Sequence, residues 1–133
     1  MIPTGLDTSV ILRLVTGEPV EQSEAARLWL TNLLRSGGTA VVSDLVVAET
    51  YHALQYHYGM SKKDALAALF SMFLSRTILP AGQAAKVLLQ SGLATAKPGF
   101  VDRLIHAAYT IPEGNMATFE KSGKTLENTT ILT

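Results

Sequence analysis

Short β-type runs alternate along this chain with longer stretches of helical periodicity, and that alternation leaves few folds open. Residues 1–6, Thr39 to Val42, Thr77 to Leu79, Met116 to Phe119 and Thr129 to Leu132 read as strands. The segments between them carry helix signals. SVILRLVTG reads as a short helix closed by Gly17, and Pro19 opens a longer one to about Arg35. Ala26, Trp29, Leu30, Leu33 and Leu34 fall on one face of that second helix. Ser43 and Asp44 offer N-caps for LVVAETYHAL, which Gly59 ends. Ser61 and Asp64 form a capping-box-like start to KKDALAALFSMFL, and a further helix runs from about Gly82 to Gln90. Strands alternating with helices predict an α/β fold with a mainly parallel sheet. Its first strand is a poor one, because it contains Pro3 and Gly5.

Composition removes several functional classes. A chain of 133 residues with 47% apolar side chains suits one globular domain over 1–133 with a proper core. Eleven basic and eleven acidic residues cancel, so any nucleic-acid site has to be a local patch. With no cysteine, disulfides and thiolate metal sites are excluded, as suits a reducing cytoplasm. The N-terminus lacks the features of a signal peptide, and the longest apolar stretch, around Ala65 to Leu74, is too short to cross a bilayer. A cytoplasmic protein with no membrane partner is the expectation. The Ala65–Leu74 helix is apolar on almost every side, which predicts deep burial or cover by a second copy, as in a homodimer.

The stretch from Lys97 to Glu120 carries the functional reading. After a Pro-Gly break, Phe100, Val101, Leu104, Ile105 and Ala108 define a helix with one buried face. Asp102 lies on its other side, one turn before His106, and Glu120 closes the strand that follows. Two earlier acids occupy comparable places. Asp7 follows the first strand, where N-capping is its ordinary role. Glu49 is the one charged residue between Leu45 and Leu54. Buried there it would need a cation or a strong donor; on a solvent stripe it would need neither. In a parallel sheet the carboxyl ends of the strands share one edge, where sites gather. Four carboxylates brought together repel unless a divalent cation binds, and all-oxygen ligands point to Mg²⁺ or Mn²⁺. Such a site beside a phosphodiester suits hydrolysis.

LDTSVILRL with Asp7, SDLVVAE with Ser43 and Glu49, FVDRLIHAA with Asp102 and ATFE with Glu120 resemble, in order, the four motifs of the PIN-domain family. The likeness is strongest to the small VapC-type toxins of toxin–antitoxin pairs, and it spans nearly the whole chain. It implies a three-layer α/β/α domain acting as a metal-dependent endoribonuclease. Asp7, Glu49, Asp102 and Glu120 would bind Mg²⁺ or Mn²⁺, directly or through water, and a metal-activated water would attack the RNA. It further implies a dimer silenced by a cognate antitoxin protein. Ser9 stands where the family usually has Asn, which predicts weaker support for the first acid. Glu120 replaces the commoner Asp and reaches one methylene further.

Ser43 and Thr118 match polar positions flanking the acids, although capping and strand propensity also account for them. Arg13, Lys97, Arg103 and Lys121 lie near the site elements in sequence, as phosphate partners or as solvated charges. The alternative function is a catalytically weak PIN-like module that binds RNA or protein without cutting. A phospho-acceptor receiver domain fits less well, because Asp7 has no acidic neighbour.

Overall fold

The computed structural model describes residues 2–133. Its elements run β1 (Thr4–Gly5), α1 (Thr8–Thr16), α2 (Val20–Arg35), β2 (Ala40–Val42), α3 (Asp44–Tyr56) and α4 (Lys62–Leu74). They continue with β3 (Ile78–Pro80), α5 (Ala84–Leu88), α6 (Phe100–Thr110), β4 (Met116–Thr118) and β5 (Thr129–Ile131). Single 3-10 turns occupy Leu93–Thr95 and Lys121–Thr125. This is the α/β class that the alternation predicts, with every strand pairing parallel.

The sheet is divided. β2 lies between β1 and β3, with Ala40 opposite both Thr4 and Ile78. β4 pairs only with β5, Met116 opposite Thr129, in a second sheet. One continuous edge carrying both Asp7 and Glu120 is therefore not formed. The reason lies in β1, which is two residues long. Pro3 has no N–H to donate and Gly5 no side chain to pack, so β1 pairs with β2 and with no other strand among the described residues. Main-chain bonds prolong the pairing just past the strands, from Leu6 N–H to Val41 O and from Ala81 N–H to Val42 O, each 2.9 Å.

Helix ends follow local chemistry. Gly17 adopts φ +72 at the close of α1, a left-handed conformation that an L side chain resists, and donates to Arg13 O at 3.0 Å. Ser43 Oγ accepts from Val46 N–H at 3.2 Å and Ser61 Oγ from Asp64 N–H at 3.1 Å, so both are true N-caps. Asp44 does something different. Its carboxylate reaches across to the start of α5 and accepts from Gln83 and Ala84 N–H at 2.9–3.0 Å. Gly82 is required beside it, because a Cβ there would lie 2.5 Å from Asp44 Oδ2.

The core centres on Ile11, Val42, Val47, Leu54, Leu69, Val87 and Phe100, all essentially inaccessible. Helix α4 buries Ala65, Leu66, Leu69 and Met72 within the chain itself, so most of its apolar surface needs no second copy. On α6 the buried residues are Phe100, Leu104, Ala107 and Thr110, while Ile105 and Ala108 face solvent. The apolar stripe is thus rotated from the one the spacing suggests, because α6 presents its i, i+4, i+7 edge to the core. Trp29 stands at the margin of its stripe, 42% exposed, beside buried Leu30.

Replacing Leu54, fully buried on α3, with Ala should destabilise the fold by about 2–5 kcal/mol in urea unfolding. Leu45→Ala, on the exposed side of the same helix, should stay within about 0.5 kcal/mol of the parent.

Candidate active site

The chain leaves β1 through buried Leu6 and turns at Asp7, whose backbone is extended (φ −87, ψ 175) while the next residue is helical. Asp7 is the N-cap of α1, as its position predicts. Its Oδ1 accepts from Ser9 Oγ at 2.7 Å and from Val10 N–H at 3.2 Å. The Ser9 hydroxyl first, and the Val10 amide second, hold the Asp7 carboxyl below the ordinary carboxylate value, because both donate to its charged form. Serine at position 9 is therefore in direct contact with the first acid.

Glu49 projects from α3 on its exposed side, so the buried placement open to it in the sequence is not the one adopted. It is nonetheless held: Thr8 Oγ1 donates a hydrogen bond to Glu49 Oε1. Thr8 adjoins Asp7, so one threonine ties the second acid to the element carrying the first. Sequence inspection missed this residue. Its only signal was a hydroxyl beside the acid in LDTSV.

Asp102 lies exposed in the first turn of α6, with Gly99 at the N-cap. On one side it shares a cleft with Tyr51, His52 and Gln55 of α3. On the other it faces a cleft of about 310 Å³ with Thr118 and Glu120. Thr118 Oγ1 accepts from Glu120 N–H at 3.0 Å, and Ser122 Oγ donates to Glu120 Oε1 at 3.3 Å. Thr118 thus braces the turn that presents the fourth acid.

Of the basic candidates, Arg103 is committed elsewhere. Its Nε donates to Pro98 O at 2.7 Å and its Nη1 to Gln90 Oε1 at 3.1 Å. Lys97 and Lys121 are exposed at either end of the Asp102–Glu120 segment. Arg13 lies one turn beyond Ser9 on α1, its Nε donating to Gln22 Oε1 at 2.5 Å. His106 turns away from Asp102, its Nε2 lying 2.6 Å from Glu127 O.

The four acids accordingly stand as two pairs, Asp7 with Glu49 through Thr8, and Asp102 with Glu120 across one cleft. The Tyr51 ring meets the Phe100 ring edge-on at 5.0 Å and joins α3, which carries Glu49, to α6, which carries Asp102. Among the described residues no three acid or histidine side chains converge closely enough to enclose an ion. The donors still suit a hard divalent cation: all are exposed carboxylates. Magnesium commonly takes one or two carboxylates and fills its remaining positions with waters and substrate phosphate.

Compared with known families, residues 6–109 match the PIN domain. That span holds Asp7, Glu49 and Asp102 and stops short of Glu120. No curated protein and no solved structure matches the chain.

Removing the Ser9 hydroxyl tests the geometry around the first acid. In an NMR titration the Asp7 carboxyl should have its midpoint below 3.8, and in Ser9→Ala the midpoint should rise toward that value. The stabilisation from these bonds is present above the unfolded carboxyl's midpoint and is lost as pH falls through the lower folded one. An unchanged midpoint in Ser9→Ala would show that the hydroxyl does not reach Asp7 in solution.

Proposed function

Because this chain belongs to the PIN-domain family, whose members are generally nucleases needing a divalent metal, we propose that it is an endoribonuclease dependent on Mg²⁺ or Mn²⁺. Asp7, Glu49, Asp102 and Glu120 hold the metal in this reading, directly or through water. The observation that carries it is the Thr8 hydrogen bond, which tethers Glu49 to the turn bearing Asp7. Two acids far apart in sequence are thereby held at one place, Asp7 as the cap of α1 and Glu49 on the exposed side of α3.

A divalent ion bound there would offset the negative charge that develops on a phosphodiester under attack, and would make a bound water more acidic. The chain's own residues then have separable tasks. Ser9 and the Val10 amide keep Asp7 ionised and aimed. Thr8 limits the rotamers of Glu49, and Thr118 with Ser122 orients Glu120. Lys97 and Lys121 attract the RNA backbone without reading sequence. Arg103 acts chiefly in the fold, by anchoring the Lys97–Pro98 segment.

We further read the protein as a VapC-type toxin of the cytoplasm, dimeric and silenced by a cognate antitoxin. Exposed apolar side chains such as Leu74, Leu89 and Phe119, each more than 60% accessible, supply surface for partner chains. The second reading, a PIN-like module that binds without cutting, draws on the absence of any three-ligand cluster among the described residues. A binder of that kind needs no tight divalent site.

Purified protein should cut a mixed RNA pool with Mg²⁺ or Mn²⁺ and stop when EDTA is added. Asp7→Asn and Asp102→Asn should each lower the rate about 100-fold or more while thermal unfolding stays cooperative. Full activity in both variants would remove the acids from the mechanism. Metal-independent folding with no cleavage and no divalent binding would select the non-cutting module.

A further inference from the structure

Helices α1 and α2 enclose an open cleft of about 320 Å³, lined by Ser9, Arg13, Gln22, Ala25, Ala26 and Trp29 among others. Ser9 belongs to this cleft and also to the acid site, since its hydroxyl donates to Asp7. The cleft therefore adjoins the turn that bears Asp7.

Trp29 is half-exposed although its helix neighbour Leu30 is buried. This partly exposed aromatic ring lines the open cleft together with two small side chains, Ala25 and Ala26. Arg13 and Gln22 line it as well, joined by a hydrogen bond. The guanidinium Nε donates to the Gln22 carbonyl oxygen, so that oxygen is engaged. What the pair still offers are donors: the terminal N–H groups of Arg13 and the Gln22 carboxamide NH₂. An aromatic platform, a cation and a row of donors next to a phosphate site match a nucleotide. Aromatic faces stack on unpaired bases, and donors of this type meet base carbonyls. A protein helix is a poorer fit, because its apolar face would cover the polar Arg13–Gln22 pair.

We propose that this cleft seats an unpaired base of the RNA strand beside the phosphate held at the acids, with Trp29 as the stacking platform and Arg13 and Gln22 at the base edge. The inference rests on the ribonuclease reading above. Trp29 becomes a substrate-positioning residue and Arg13 acquires a role that its place in sequence only suggested.

Trp29 is the one tryptophan in the chain, so its fluorescence reports on this cleft directly. The full chain carrying Asp102→Asn is titrated with short end-labelled oligo(U), and with an abasic ribose-phosphate strand of equal length and charge. Label anisotropy follows binding, and tryptophan emission follows stacking. Oligo(U) should quench Trp29 and bind about tenfold tighter than the abasic strand, as one base–aromatic stack provides. Trp29→Ala should abolish that tenfold preference, and Trp29→Phe should keep most of it, which separates stacking from a folding defect. Oligo(U) that binds with Trp29 emission unchanged, and equally well to Trp29→Ala, would overturn the proposal and leave the cleft to a protein partner. If the unsubstituted chain cuts an RNA pool with Mg²⁺ but oligo(U) does not bind, the base site alone is wrong. If it neither cuts nor binds RNA, the ribonuclease reading fails and the base site with it.

Discussion

Helix α3 is held in one rotation by the burial of a single face, and the rest of the structure depends on that constraint. Val47, Thr50 and Leu54 are fully inaccessible and Tyr51 nearly so. Turning α3 by even one residue would expose part of this set and bury Glu49, at a cost of several kcal/mol in desolvation. Thr50 tolerates its position because its hydroxyl donates to Val46 O at 2.8 Å within the helix. Tyr51 extends the same face to α6 through its edge contact with Phe100, and burial raises its hydroxyl above the ordinary phenol value. With these four side chains in place, Glu49 lies on the outer surface where Thr8 meets it.

A second constraint sets the distribution of acids. Asp44 stands one residue after a cap and near Glu49 in sequence, yet its work is structural. It fastens the start of α5 to the start of α3 by accepting from two main-chain amides. The close approach requires Gly82, and the result is a link between the segments following β2 and β3. Carboxylates here are thus sorted by what they meet. Asp44 is partly buried and spends its carboxylate on backbone donors across the fold, whereas Asp7, Glu49, Asp102 and Glu120 are exposed, the last two lining one cleft. This sorting is what makes the four acids candidates for a ligand from solution.

The division of the sheet shows how local chemistry propagates. Pro3 and Gly5 leave β1 with two residues of pairing, all given to β2. The Asp102–Glu120 region is then positioned by α6, through Phe100, Leu104 and Ala107, and by the β4–β5 pair. Its acids line one cleft between α6 and the β4–β5 region instead of being arrayed along one sheet edge. Ser9 illustrates the converse. It departs from the PIN pattern, and its hydroxyl, two residues from the acid in sequence, donates directly to Asp7.

By itself the sequence determined the order and type of the elements and the caps at Asp7, Ser43 and Ser61. Those features depend on neighbours within a helical turn, where spacing and side-chain type decide the outcome. Tertiary structure alone decided the Thr8–Glu49 contact, the capture of α5 by Asp44, the rotation of α6 that exposes Ile105, and the cleft beside Trp29. Each depends on the relative rotation and approach of two helices or of a helix and a loop. That is set by how the whole core fills its space, a many-body result that no short window of residues contains.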